Sequence, residues 1–126
     1  MNALQPQPPT PGPGRYRYAG VTLLRIVDGD TVYFRFPLPF CLHIDLDMRL
    51  LGINAPERTG VSAVAGAAAT AYLTGLLTGA ESLTVQTYKT DKYGRWLAEI
   101  WALKAGAWLN VYADMIASGH AVSYWP

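Results

Sequence analysis

Apolar and polar residues alternate along several short stretches of this chain, most clearly over residues 43–53. There, one strand face would carry Ile44, Leu46, Met48 and Leu50, and the other Asp45, Asp47, Arg49 and Leu51. A period of two predicts a β-strand with one face buried. Runs rich in β-branched and aromatic residues predict four further strands, at residues 16–27, 31–36, 82–88 and 96–102.

Two other stretches have helical periodicity. Over residues 61–78, the face predicted to be buried comprises Val61, Val64, Ala65, Ala68, Tyr72, Leu73 and Leu76, while Thr70, Thr74 and Thr78 share another side. Residues 59–80 carry no charge and are long enough to span a membrane, but their many Ala, Gly, Ser and Thr residues favour a helix packed on a sheet. A second helix is predicted at residues 108–119, with Gly119 as its C-terminal cap.

The elements follow one another as three strands, a helix, two strands and a helix. A small antiparallel set of five strands fits a closed barrel of the OB type. The predicted fold is therefore an α+β β-barrel with two helices and no clear third helix at the C-terminus. Residues 1–14 are rich in Pro and Gly and predict a flexible arm, which leaves residues 15–126 as one domain.

The composition indicates a folded domain without a general affinity for polyanions. Of the 126 residues, 51% are hydrophobic and 15% are charged, and the net charge is +1. Any nucleic acid would therefore be bound by a few placed cations. The single cysteine, Cys41, excludes an internal disulfide and is predicted to be a small buried hydrophobic residue. The first residues do not resemble a signal peptide, so a cytoplasmic location is the default, with secreted and phage-associated settings left open.

Three polar clusters interrupt the apolar pattern: residues 28–31, Arg49 with residues 54–57, and residues 91–95. Each has an ordinary interpretation, because Asp-Gly-Asp is typical of a hairpin turn and Arg49 could pair with a carboxylate on its own strand face. Together, however, they supply a carboxylate for a hard cation, two arginines for phosphate oxygens and a second carboxylate for use as a base. That combination suits phosphodiester hydrolysis.

Three motifs in these clusters resemble the thermonuclease, or staphylococcal nuclease-like, family: IVDGDTV, RLLGINAPE and TDKYGRWLAEIWA, in this order. The resemblance covers residues 21–124. It implies a five-stranded OB barrel and a Ca²⁺-dependent endonuclease that cleaves DNA and RNA with little sequence specificity, leaving a 3′-phosphate and a 5′-hydroxyl. On this interpretation, the glycine and aspartates of the first motif turn the chain and also aim Asp30 at the cation.

The resemblance also implies a role for each matched residue. Asp30 falls on a metal-binding aspartate, Asp28 on a neighbouring acidic residue that helps to shape the site, and Asn54 and the backbone carbonyl of Ala55 on the other ligands. The catalytic positions are the phosphate-binding arginines Arg49 and Arg95 and the proposed general base Glu57. Lys92 and Tyr93 match residues that hold a nucleotide phosphate, and Tyr124 and Trp125 lie near base-stacking tyrosines, although a C-terminal hydrophobic anchor explains these two equally well.

The chain departs from the family pattern in three ways. Asn54 replaces a metal-binding aspartate, which predicts weaker metal affinity because an amide oxygen carries no charge. The loop after Glu57 is short and has no lysine, which predicts weaker contacts with a polymer. The chain also ends about where the final helix of the family would start, and exposed Trp108, Tyr124 or Trp125 would then favour a homodimer.

Two other functions stay open at this stage. The domain could be an OB-fold that has lost catalysis and retains single-stranded nucleic acid binding or a protein interface. It could instead bind an oligosaccharide or a peptide without any metal. The presence of Arg49, Glu57 and Arg95 together favours the enzyme, with DNA or RNA, preferably single-stranded, as its partner and no membrane association.

Overall fold

A computed structural model describes residues 16–90 and 93–124, without the side chains of residues 89 and 90. The predicted arm at residues 1–14 lies outside this part of the chain. The strands are β1 (Tyr16–Tyr18), β2 (Thr22–Asp28), β3 (Thr31–Pro37), β4 (His43–Leu50), β5 (Ile53–Asn54), β6 (Ser82–Thr90), β7 (Trp96–Lys104), β8 (Ala107–Asn110) and β9 (Val122–Ser123). The helices are α1 (Ala63–Thr78) and α2 (Val111–Ala117), and short 3₁₀ turns occupy Pro39–Cys41 and Gly60–Ser62.

The strands form a barrel-like core with the two helices beside it, which confirms the predicted OB-like α+β fold. The main sheet has the order β1-β6-β7-β4-β3-β2, with β8 added alongside β7, and β5 pairs with β9 in a separate small sheet. Two details of the prediction were wrong. The pair β4–β7 is parallel, and the sheet is not closed, because β1 and β2 are its two edges and do not pair with each other.

The predicted strand at residues 16–27 is in fact two strands. Gly20 has a φ of +65°, a left-handed conformation that glycine adopts without steric cost, and it turns the chain between β1 and β2. As a result, β1 pairs with β6, whereas β2 pairs with β3. The Val21 N–H donates to the Leu83 carbonyl at 3.1 Å, so the junction itself stays attached to β6.

The core is formed by the inward faces of the strands and by one side of each helix. Phe34 and Phe36 are both buried, and their rings meet edge to face with centroids 6.0 Å apart. Other fully buried side chains are Val32, Met48, Ile53, Leu73, Val85, Ile100, Val111 and Met115. The alternation predicted for β4 is correct at its C-terminal half, since Met48 and Leu50 are buried while Ile44 is 42% exposed.

Helix α1 buries a different face from the predicted one in its first half. Its buried residues are Gly66, Ala69, Leu73, Leu76 and Leu77. Val61 and Val64 are exposed, as are Ala65 and Ala68, so the prediction holds only for Leu73 and Leu76 and for Tyr72, which is partly buried against the core. Gly66 and Ala69 face inward because the backbone of the helix approaches its neighbours too closely there for larger side chains.

Two features of α1 explain how a helix without charged residues is accommodated: its threonine hydroxyls bond to the helix backbone, and it packs on other elements of the domain. The hydroxyls of Thr70, Thr74 and Thr78 each donate to the carbonyl four residues earlier, at 2.9, 2.7 and 2.7 Å. By length and composition alone, the segment Gly60–Thr78 could cross a membrane, because its mean hydropathy is 1.4. A core helix of a soluble protein passes the same test, and α1 packs on β2 and on α2.

The second predicted helix starts later than expected, because Trp108, Leu109 and Asn110 belong to strand β8. The Asn110 side chain caps α2 by accepting from the Ala113 N–H at 3.1 Å. At the other end, Gly119 has a φ of +81°, and the N–H groups of Gly119 and His120 donate to the carbonyls of Ile116 and Met115. The predicted glycine cap is therefore confirmed as a Schellman motif.

Cys41 is exposed, so the prediction of a buried cysteine was wrong. It lies with Phe40 in the connection between β3 and β4, and both residues have positive φ angles, 61° and 64°. Phe40 is 93% exposed. The chain reverses at this point through left-handed backbone rather than through glycine, which turns both side chains away from the core.

Candidate active site

The Asp28-Gly29-Asp30 sequence forms the tight connection between β2 and β3. The Asp28 carboxylate accepts from the Asp30 N–H at 3.1 Å, which is an Asx-type turn. Gly29 lies against Ala55 and helix α1, since a Cβ there would be 2.7 Å from the Ala55 Cβ and 2.9 Å from the Ala69 Cβ. The turn therefore packs between the loop after β4 and helix α1, which leaves Asp30 only 8% exposed.

Arg49 lies beside Asp30 because Thr31 pairs with Arg49 in the register of β3 and β4. Its Nη1 is 3.5 Å from Asp30 Oδ2 and also donates to the Leu50 carbonyl at 3.1 Å. The alternative ion pair on the strand face is not formed with Arg49, because Asp45 is paired with Arg35 at 2.8 Å instead. The arginine and the aspartate of two separate motifs therefore meet in one pair.

The Asp30 carboxylate is poorly compensated in this environment. Burial raises its pKa to about 6, with a further increase from the neighbouring Asp28, while the Ala55 N–H and Arg49 act in the opposite direction. The Ala55 N–H donates to Oδ2 at 2.9 Å, and the Thr31 hydroxyl donates to Oδ1 at 3.2 Å. A second cation near this carboxylate would offset the cost of its burial.

The remaining predicted metal ligands are oxygen atoms at the edge of this pair. Asn54 is exposed, and its Oδ1 accepts from Arg49 Nη2 at 3.2 Å. Ala55 contacts Asp30 through its N–H, and the role of its carbonyl stays a prediction. In the described part of the chain, no three His, Cys, Asp or Glu side chains are grouped to hold a metal. One buried carboxylate with uncharged oxygens nearby still fits a hard cation such as Ca²⁺, held weakly.

Arg95 approaches the same pair from the start of β7. Its Nη1 donates to the Thr31 hydroxyl at 3.5 Å, a long contact, and the guanidinium lies 5.6 Å from the ring centroid of Tyr93. Since Thr31 also contacts Asp30, a chain of polar groups connects Arg95 through Thr31 and Asp30 to Arg49. The two predicted phosphate arginines therefore lie on either side of one buried carboxylate.

Glu57 is exposed and lines an open cleft of about 460 Å³ together with Val27, Asp28, Arg58 and Thr59. Its backbone rests on helix α1, because a Cβ at Gly66 would lie 2.7 Å from the Arg58 nitrogen and closer still to the Glu57 carbonyl oxygen. The Ser62 hydroxyl donates to the same carbonyl at 3.1 Å. The cleft lining also includes Asp28, whose carboxylate accepts from the Asp30 N–H, whereas Asp30, Arg49 and Arg95 are not among the lining residues.

The predicted substrate residues are only partly described. Tyr93 is 72% exposed and Tyr124 is 52% exposed, and the Tyr124 N–H donates to the Gly52 carbonyl at 2.8 Å, beside the loop that carries Asn54. Lys92 and Trp125 lie outside the described residues. Of the aromatics predicted for a dimer surface, Trp108 is half-buried.

Arg58 is a cleft residue that the sequence analysis did not single out. Its Nη1 donates to the Val27 carbonyl at 2.9 Å, which connects the Glu57 loop to the end of β2. One signal was available: Arg58 directly follows the predicted base and is the only basic residue between positions 50 and 88.

A comparison with known protein families identifies the family of this chain. The model of the family described as staphylococcal nuclease homologue matches residues 47–125. This segment, more than half of the chain, includes Arg49, Asn54, Glu57 and Arg95 and begins after the turn at residues 28–30. No curated protein gives a significant match.

Proposed function

The chain belongs to the staphylococcal nuclease homologues, and from this premise we propose that it is a Ca²⁺-dependent phosphodiesterase that cleaves DNA and RNA with little sequence preference. The observation that carries the proposal is the pairing of Arg49 with buried Asp30, 3.5 Å apart, with Arg95 reaching the same carboxylate through Thr31. Two arginines that contact one buried carboxylate, directly or through a single hydroxyl, are an arrangement that suits binding of a phosphate.

In the proposed reaction, Arg49 and Arg95 bind the scissile phosphate. Their planar guanidinium groups match phosphate oxygens and would stabilise the negative charge that builds up during attack. Glu57, exposed in the cleft, would orient a water molecule and accept its proton. The products expected from the family resemblance are a 3′-phosphate and a 5′-hydroxyl.

Asp30, Asn54 and the Ala55 carbonyl are the proposed holders of Ca²⁺, with Asp28 beside them. When bound, the cation would supply positive charge to the phosphoryl oxygens. The chain's own contribution is the burial of Asp30, because a carboxylate whose pKa is raised to about 6 by desolvation gains more from a cation than an exposed one.

Digestion of single-stranded DNA by the full chain tests the proposal. We expect cleavage in millimolar calcium, no cleavage in EDTA, and a loss of roughly 10²–10⁴-fold in Glu57→Gln. Because Glu57 is exposed, the Gln variant should keep the melting temperature of the parent protein. Cleavage that survives in both EDTA and the variant would exclude the assignment of metal and base.

One observation favours a second candidate, a nucleic-acid-binding module without catalysis. Asn54 is uncharged, and its amide oxygen accepts a hydrogen bond from Arg49. If a well-folded protein binds single-stranded DNA but cleaves it with no divalent ion tried, this second function replaces the first.

A further inference from the structure

We propose that Arg58 is a further substrate-binding residue, which contacts a backbone phosphate adjacent to the scissile one. The preferred ligand would then be a single-stranded polynucleotide rather than a single nucleotide. The inference rests on the proposed function for the identity of the ligand, but binding can be measured without cleavage.

The position of Arg58 in the cleft is the first observation. It forms the wall beside Glu57 in an open cleft of about 460 Å³. Its backbone packs closely on helix α1, since a Cβ at position 66 would lie 2.7 Å from the Arg58 nitrogen. Its guanidinium is fixed by the bond of 2.9 Å to the Val27 carbonyl. Both ends of the residue are thereby held at the rim, so little conformational entropy remains to be lost on binding.

The donor capacity of Arg58 is the second observation. A guanidinium has five N–H donors, and Val27 engages one nitrogen of the group. Between residues 16 and 124, as far as they are described, the ion pairs are Arg35–Asp45 and Arg49–Asp30, and Arg58 is in neither. An exposed guanidinium with unused donors in a fixed position suits a phosphate oxygen.

The charge of the cleft is the third observation. Two of its five lining residues, Asp28 and Glu57, are carboxylates, which would repel a polyanion on the side where the water-activating residue lies. Arg58 is the only cation in that lining. Within this lining, Arg58 is therefore the group that a backbone phosphate would contact, whereas the scissile phosphate is assigned to Arg49 and Arg95.

The test is the salt dependence of binding. A fluorescein-labelled single-stranded 12-mer is titrated in calcium with the full chain carrying Glu57→Gln, which slows cleavage, and anisotropy is followed at several NaCl concentrations. Arg58→Ala and Arg58→Gln should weaken binding roughly three- to tenfold at low salt and reduce the slope of log K against log[salt] by about 0.7. Arg58→Lys should keep most of the slope.

Arg25→Ala is the matched control, because Arg25 is an exposed arginine on β2 that stacks on Tyr33 and is not in the cleft lining. A slope unchanged by Arg58→Ala, or reduced equally by Arg25→Ala, would overturn the proposal. A purely structural tether predicts a lower melting temperature with an unchanged slope, which would also overturn it.

Failure of the inference and failure of the proposed function give different results. If the parent protein does not cleave the oligonucleotide but the Arg58 variants bind it with a smaller salt dependence, the phosphate contact is supported and the catalytic assignment is wrong. If the parent protein cleaves and Arg58→Ala leaves KM for the oligonucleotide unchanged, the phosphate contact falls and the nuclease stands.

Discussion

Gly66 of helix α1 lies directly against the backbone of Glu57. A Cβ at position 66 would stand 2.7 Å from the Arg58 nitrogen and even nearer the Glu57 carbonyl oxygen, so no other residue fits without moving the loop. Because position 66 has no side chain, the loop packs directly on the helix backbone, and the helix thereby sets the position of the proposed base.

This contact predicts different effects for two glycines of the same helix. Gly66→Ala should displace the Glu57 loop, lower kcat at least tenfold and cost about 1–3 kcal/mol of stability. Gly75→Ala is the control, because a Cβ there has nothing within 4 Å and should stabilise the helix by about 1 kcal/mol with unchanged activity. Steady-state kinetics and thermal melts check both. Full activity in Gly66→Ala would show that the loop does not depend on this contact.

Replacing Arg49 and replacing Arg95 should have different effects on the stability of the protein, although both residues are proposed to serve the reaction. Arg49→Ala leaves the buried Asp30 carboxylate without its ion-pair partner and should cost about 2–4 kcal/mol, whereas Arg95→Ala should cost less than about 1 kcal/mol. Both should reduce turnover by orders of magnitude. Adding Asp30→Asn to Arg49→Ala should restore much of the stability and none of the activity. Equal melting temperatures for the two single variants would contradict this account.

Asp30 predicts a pH dependence for the metal-free protein. Because its pKa is raised from 3.8 to about 6 in the folded state, the folded protein binds more protons than the unfolded chain between these values. The stability associated with its protonated form is therefore complete below about pH 4 and is lost as the pH rises through 6. The measurement is the free energy of unfolding in EDTA for the parent protein and for Asp30→Asn. The difference between the two should fall by on the order of 2 kcal/mol over this pH range. A difference that stays flat or rises would contradict the desolvation argument.

Asn54→Asp should restore a charge at the proposed cation site. We expect calcium to bind roughly tenfold more tightly, because carboxylate ligands raise Ca²⁺ affinity. Isothermal titration calorimetry measures the affinity directly, and the calcium-induced increase in melting temperature should grow with it. An unchanged calcium affinity would remove position 54 from the site.

The fold could be predicted largely because its strongest signals are local. The alternation over β4 and the Asp-Gly turn after β2 correctly predicted strands and a hairpin, since each depends on a few neighbouring residues. The break at Gly20 and the parallel pair β4–β7 were missed, because pairing between distant strands leaves no periodic trace in the sequence. Residues 108–110 were assigned to a helix because apolar spacing there suits both structures.

The residues of the site could be predicted from their motifs, whereas the contacts between these residues could not. Arg49 and Asp30 were identified from separate clusters, but their pairing follows from the register of β3 on β4. The inward face of α1 was missed because close packing there selects Gly66 and Ala69, whereas a hydrophobicity pattern favours Val61 and Val64. Arg58 was missed because its role depends on a cleft, which exists only after folding.

The pairing of β1 with β6 is the most distant along the chain in the main sheet. Arg17 bonds to Gln86, 69 positions away in the chain, so the first strand finds its partner only across the longest loop in the sheet. The hairpins β2–β3–β4 and β6–β7 connect near neighbours and can form early. During synthesis, β1 therefore stays unpaired until β6 (Ser82–Thr90) has also left the ribosome, after the hairpins β2–β3–β4 can already have formed.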